Sequence, residues 1–151
     1  MKKILLLAVL PMLFVAGTAT AGTISPALQD ILDYARPDEP VSVIVHMTDQ
    51  APVAQLSANL SAGKASRQER HGQIVVALQD AARSQNDLLA ELDASKSRGG
   101  VIGYTSYWIS NLIVVQAVPD EIVRIADRLD VAWIEPNFVP VSYTHLRAHE
   151  T

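Results

Sequence analysis

Few residues of this chain have the types and spacing that acid–base or nucleophilic chemistry requires. The strongest candidate is His71, followed by Gly72, because an imidazole can take the proton of a serine nucleophile. Such a site also needs an acid that orients the imidazole and a serine beside oxyanion donors, and no matching motif accompanies His71. His71 falls within a stretch of helical periodicity, so we interpret it as a solvated helix residue.

Metal and ligand chemistry has equally weak support. The chain has no cysteine and no H-E-x-x-H motif, and His46 lies near the end of a predicted strand, where a structural role is preferred. Tyr107 and Trp108 could stack on a ligand, although in a hairpin we expect them to fill the core or a subunit contact. We therefore predict no catalytic residues, no metal site and no cofactor, and we predict that the chain is not itself an enzyme.

The first residues have the pattern of an export signal. A basic start precedes the short apolar run Ile4–Gly17, and the small residues Ala19 and Ala21 occupy the positions that signal peptidase recognises. The apolar run is shorter than the roughly 20 residues that a membrane-spanning helix needs, so we predict no stable membrane anchor. We predict cleavage after Ala21, a mature chain that begins at Gly22, and a secreted or periplasmic location.

The charge balance argues against a nucleic-acid partner. Without the two lysines of the basic start, the chain has 10 basic and 16 acidic residues, a net charge of −6. Binding to phosphates needs clustered lysine and arginine side chains, which an acidic chain does not favour. Export would permit disulfides, but the chain has no cysteine, so its stability must come from packing.

Hydrophobic periodicity divides the rest of the chain into strands and helices. Runs rich in β-branched residues predict strands, and runs with apolar residues three or four apart predict helices. The predicted strands are Val41–Met47, Val101–Ser110, Asn111–Val118 and Val131–Asn137. The predicted helical segments are Ser25–Ala35, Ala51–Gly63, the long stretch Ser66–Gly99, and a short helix from Pro119 that places Ile122, Ile125, Ala126 and Leu129 on one side.

Local residues mark where several of these elements begin and end. Ser66 and Glu69 have the spacing of a capping box at the start of the long helical stretch, and Gly99 ends it. Asn111 suits the positive φ of a tight turn between the two middle strands. The order of elements predicts an α+β, ferredoxin-like β-α-β-β-α-β fold, an antiparallel sheet with helices on one face and a long helical insertion in the first crossover.

Residues 41–137 resemble the propeptide, or inhibitor-type prodomain, of subtilisin-like serine proteases. The resemblance lies in the first strand "VSVIVHM", the hairpin "SYWISNLIVVQAV", the helix "PDEIVRIADRLD" and the last strand "VAWIEPN". The long inserted helix is most similar to the bacillopeptidase F-like branch. The predicted boundaries are a signal peptide at 1–21, an N-terminal segment at 22–40, the propeptide domain at 41–138 and a linker or tail at 139–151.

The resemblance implies a chain that helps a protease to fold and then inhibits it for a time. In that family the sheet packs on two surface helices of a subtilisin-like catalytic domain, and side chains at the end of the last strand cap those helices. By resemblance this role falls to Glu135 and Asn137, although the family more often has aspartate at the second position. The residues that would then enter the active-site cleft are Phe138, Val139, Pro140 and Val141.

Two alternatives stay open. The chain could be a complete, secreted inhibitor of subtilisin-like proteases, or an exported ferredoxin-like module that uses Tyr107 and Trp108 to bind a ligand or to dimerise.

The segment Ser142–Thr151 differs in composition from the rest, and we suspect that it is a sequencing artefact and that the gene continues beyond Val141. His145 and His149, which lie in that segment, are not interpreted as metal ligands.

Overall fold

The computed structural model describes residues 21–138. The strands are β1 (Thr23–Ile24), β2 (Val41–Met47), β3 (Val101–Tyr107), β4 (Leu112–Ala117) and β5 (Val131–Pro136). The helices are α1 (Pro26–Tyr34), α2 (Val53–Ala62), α3 (Arg67–Ala82), α4 (Asn86–Arg98) and α5 (Pro119–Ala126), with a 3₁₀ turn, Arg83–Gln85, between α3 and α4. Within this described range, no helix is long and apolar enough to cross a membrane.

The strands form one sheet in the order β1-β5-β2-β4-β3. Strands β2 to β5 pair in the antiparallel direction, α2 to α4 lie in the first crossover and α5 lies in the second. This arrangement confirms the predicted α+β fold of ferredoxin-like type with its long helical insertion. The sheet has one strand more than predicted, because β1 joins β5 in the parallel direction. A strand of two residues is too short to give an alternation signal in the sequence.

The hydrophobic core lies on one face of this sheet. Along β2, Val43, Val45 and Met47 are fully buried while the residues between them are only partly covered, as a period of two requires. The helices that pack on this face supply buried side chains from α1, α4 and α5, namely Leu28, Leu88, Leu92, Ile122 and Ile125. The predicted placement of helices on one face is therefore confirmed, and α1 shares the core with the later elements.

The long helical stretch is two helices rather than the one that its periodicity predicts. The Glu69 amide N–H donates to the Ser66 hydroxyl at 3.1 Å, and Gly99 ends α4 with a φ of 83°, so both predicted ends are confirmed. The break at the 3₁₀ turn places α4 on the sheet, whereas α3 packs beside α2 and buries only Ala81 fully. Gln85, within the turn, is itself buried and directed towards the β3–β4 connection.

Asn111 joins that connection to the helices. Its backbone has a φ of 41°, which confirms the predicted left-handed turn position. Its side-chain Nδ2 lies 3.0 Å from both the Ala81 carbonyl and the Ser84 hydroxyl, and it also donates to the Asp49 carbonyl. Its Oδ1 accepts from Gln85 Nε2 at 2.8 Å. One buried amide thus ties together the end of α3, the 3₁₀ turn, the β3–β4 turn and the loop after β2.

Polar contacts at the surface hold α4 against its neighbours. The Tyr104 hydroxyl donates to Asp93 at 2.6 Å, and this bond raises the pKa of the phenol. Arg128 donates to Asp130 and pairs with Glu91 of α4, and these two carboxylates raise the pKa of the guanidinium. These pairs fix α4 relative to β3 and to the start of β5.

The apolar side predicted for the short helix α5 is confirmed for three of its four residues. Ile122, Ile125 and Ala126 are buried, but Leu129 lies beyond the end of the helix and is exposed. The prediction for Leu129 was wrong because the helical turn ends at Ala126, so the period of the helix no longer sets the direction of that side chain. Glu121, in the first turn of α5, is buried and pairs with Arg124 at 2.7 Å.

Candidate partner-binding surface

The face of the sheet opposite the core carries three rows of side chains that run across β3, β4, β2 and β5. The register of the strands and the Asn137–Ser42 hydrogen bond align these rows. We name this surface the open face. Its rows are Gly103, Gln116, Ser42 and Asn137; Thr105, Val114, Ile44 and Glu135; and Tyr107, Leu112, His46 and Trp133.

The centre of the open face is apolar. Ile44, Val114 and Leu112 lie on the two central strands and are only half-buried, in contrast to the fully buried residues that alternate with them. At one margin the residue Trp133 is 41% exposed, and at the opposite margin Tyr107 is also exposed. A central strip of aliphatic side chains flanked by exposed aromatic rings is typical of surfaces that other proteins cover.

His46 contacts two side chains of β5, those of Trp133 and Glu135. Its ring stacks on that of Trp133, with the ring centroids 4.1 Å apart and the planes inclined by 15°. Its Nε2 lies 3.0 Å from Oε1 of Glu135. An ionised carboxylate can only accept hydrogen bonds, so the ring nitrogen is the donor. The contact is a diagonal cross-strand pair, because His46 stands opposite Trp133 and Ile44 stands opposite Glu135.

Glu135 and Asn137 stand at the end of β5 and both reach the open face. Glu135 is the only carboxylate among the twelve residues of this surface, and its side chain is 44% exposed. Asn137 follows the strand, and its backbone N–H donates to the Ser42 carbonyl at 2.9 Å. Its side-chain Nδ2 donates to the Ser42 hydroxyl at 3.1 Å, which leaves the amide oxygen as an acceptor. The two groups are therefore neighbouring acceptors on one edge of the face.

Of the other residues predicted to contact the protease, only Phe138 lies within the described residues. Phe138 is 71% exposed, directly after Asn137. Val139, Pro140 and Val141 lie outside the described residues, as does Ala19 of the predicted export signal. Ala21 is the first described residue, and Gly22 lies so close to Val131 and Ala126 that a Cβ at that position would meet their atoms at 2.9–3.1 Å.

The other residues considered from the sequence are His71, Tyr107 and Trp108. His71 is exposed on α3, as expected for a solvated helix residue. Tyr107 and Trp108 are both exposed at the end of the β3–β4 hairpin. The prediction that they fill the core of the chain was therefore wrong. Tyr107 lies on the open face beside Leu112, and Trp108 follows it in the turn. Between residues 21 and 138, no group of three or more acidic, histidine or cysteine side chains is placed to hold a metal ion.

Sequence reasoning singled out Glu135 and Asn137 but missed their neighbours His46 and Trp133. The signal was present in the alternation of the two strands, since His46 shares a face with Ile44, and Trp133 shares one with Glu135. What the sequence lacked was the register between β2 and β5, which brings together residues 89 positions apart. Strand register is set by tertiary packing and turn geometry, so alternation within each strand cannot supply it.

Comparisons of the chain with protein-family models, with curated proteins and with solved structures found no match. What the chain does is therefore inferred from the geometry of the open face. That geometry combines a half-buried apolar centre with two hydrogen-bond acceptors at the end of the last strand.

Proposed function

We propose that this chain is the N-terminal propeptide region of a secreted subtilisin-like serine protease, acting as intramolecular chaperone and temporary inhibitor. The observation that carries the proposal is the open face, with Glu135 and Asn137 at its edge. The pattern of strands and helices that resembles such propeptides supports the same conclusion. Neither role requires catalytic residues in the chain itself, because both depend on a surface that fits the catalytic domain.

The apolar centre of the open face would supply most of the binding energy. Burial of apolar surface stabilises by about 25 cal/mol per Å². Ile44, Val114 and Leu112 are only half-buried in the free chain, so a pair of partner helices laid across the sheet would remove them from water. Because the same contact orders the partner's helices, a preformed sheet would also lower the barrier to folding of a protease with many long-range contacts.

The acceptors at the edge would fix the orientation of that contact. The first turn of a helix has backbone N–H groups without partners and the positive end of the helix dipole. The Glu135 carboxylate and the Asn137 amide oxygen are of the types that cap such ends. Glu135 would contribute both a hydrogen bond and a charge interaction, whereas Asn137 would contribute only a hydrogen bond. The exposed Phe138 would lead the following residues towards the active-site cleft.

Replacing Glu135 by glutamine should weaken inhibition of a subtilisin-like protease about tenfold, because the shape is kept and the charge at the helix end is lost. The measurement is the inhibition constant of the chain that begins at Gly22, compared with that of the Glu135→Gln variant. Asp30→Asn is the matched control, since it removes one exposed carboxylate from α1, on the core side of the sheet. Equal inhibition constants for all three proteins would contradict the capping role of Glu135.

A stand-alone inhibitor would use the same surface, and only the gene sequence beyond Val141 separates it from a propeptide. A ligand-binding or dimerising module is favoured by a different observation, namely the contiguous exposure of Tyr107, Trp108 and Ile109. A module of that kind would keep its binding or dimerisation after removal of residues 138–141, which leaves β5 intact. Loss of protease inhibition by the same truncation is the outcome that the propeptide proposal requires.

A further inference from the structure

The His46–Glu135–Trp133 cluster carries an inference that rests on the proposed function and deepens it. We infer that His46 is a positioning residue, which holds the Glu135 carboxylate in the orientation required to cap a helix of the partner. His46 contacts the capping group, so the effect inferred here passes through Glu135 rather than through any contact of His46 itself with the partner.

The burial of the cluster supports this role. The His46 side chain is only 16% exposed, whereas the Glu135 side chain is 44% exposed. A covered imidazole thus fixes a carboxylate that remains open to a partner. Trp133 stacks on the imidazole and restricts the ring plane, which directs Nε2 along the sheet towards Oε1 of Glu135.

The hydrogen bond from His46 leaves acceptor sites on the Glu135 carboxylate available to a partner. A carboxylate has two oxygens with about four acceptor sites in all, so one bond from His46 does not prevent bonds from the backbone of a helix. Glutamate loses much side-chain freedom when it is fixed at an interface, and this loss opposes binding. In this chain the restriction is already in place before the partner arrives, which makes binding tighter than for an unrestrained glutamate.

The test combines two substitutions at His46 with a change at Glu135. His46→Phe keeps a ring that can stack on Trp133 but removes the nitrogen donor, and His46→Gln retains a donor at similar reach without the ring. We expect His46→Phe to weaken inhibition of a subtilisin-like protease about three- to tenfold, the range for fixing one long side chain. We expect His46→Gln to restore most of the inhibition, and His46→Phe to have no further effect when Glu135 is alanine.

A merely structural role for His46 would give a different pattern. His46→Phe would then weaken inhibition equally with glutamate or alanine at position 135, and that additivity would overturn the inference. Thermal unfolding of each variant separates lost stability from lost binding.

The inference and the proposed function fail in distinguishable ways. Inhibition that depends on Glu135 but not on His46 contradicts the inference alone. A chain that does not inhibit contradicts the proposed function and, with it, the inference. A further test needs no protease. Nitrogen NMR of the free chain should show the His46 Nε2 proton in a hydrogen bond to a carboxylate, with a chemical shift that changes in Glu135→Ala. An Nε2 resonance that is the same in both proteins would contradict the contact between His46 and Glu135.

Discussion

Replacing Asn111 by alanine is expected to lower the free energy of unfolding by about 3–5 kcal/mol. The substitution leaves Gln85 Nε2 with only a 3.4 Å contact to the Tyr107 carbonyl and removes the Asn111 donor from the Asp49 carbonyl, and each buried group left unsatisfied costs about 1–3 kcal/mol. It also forces a residue with a Cβ to hold a φ of 41° without the local bonds that favour asparagine there. Denaturant unfolding followed by circular dichroism measures the change.

Asn111→Gly separates the two contributions. Glycine adopts a positive φ without strain, so this variant loses the hydrogen bonds and keeps the backbone conformation. It should be more stable than Asn111→Ala by about 1 kcal/mol, and both should be less stable than the original chain. A difference of the opposite sign, or a loss below about 1 kcal/mol for alanine, would contradict the role assigned to this amide.

Ending the chain at Asn137 is expected to raise the inhibition constant for a subtilisin-like protease about 100-fold, the size of effect seen when a central contact segment is removed. The reason is that residues 138–141 would enter the active-site cleft, where they block substrate directly. Three versions that begin at Gly22 and end at Asn137, Val141 and Thr151 provide the comparison. Their inhibition constants are measured against the same protease.

The two longer versions serve as matched controls for the shortest. Removal of residues 142–151 should leave inhibition unchanged, because that segment has no role in the proposed contact. Removal of residues 138–141 should leave the free energy of unfolding unchanged, since Phe138 is exposed and the core lies within the preceding elements. Equal inhibition by all three versions would show that the sheet surface alone accounts for binding and that no cleft segment is involved.

The fold could be predicted from the sequence wherever one pattern dominated a whole element. Runs rich in β-branched residues, with Gly99 and Asn111 at turn positions, predicted the four longer strands to within a few residues. The break between α3 and α4 was missed because no proline or glycine marks it. It coincides with the buried bond between Gln85 and Asn111, which depends on the assembled structure. Tertiary contacts of this kind override a continuous helical period.

The candidate site could be predicted only in part. Glu135 and Asn137 followed from the resemblance of the last strand to a propeptide, and the structure places both at the edge of the open face. The contact between His46 and Glu135 could not follow from the sequence, because it joins strands separated by most of the chain. The half-buried state of Ile44 and its neighbours likewise depends on which sheet face the helices cover, and the predicted helices alone do not decide this.

The most direct test of the account is the activity of a subtilisin-like protease, followed over time, in the presence of the purified chain from Gly22. The account predicts inhibition at submicromolar concentrations, corresponding to about −8 kcal/mol of binding free energy or stronger. It also predicts that activity returns as the chain is cleaved, as expected of a temporary inhibitor. Protease activity that stays unchanged at a large excess of the chain, while the chain is degraded as an ordinary substrate, would contradict the account.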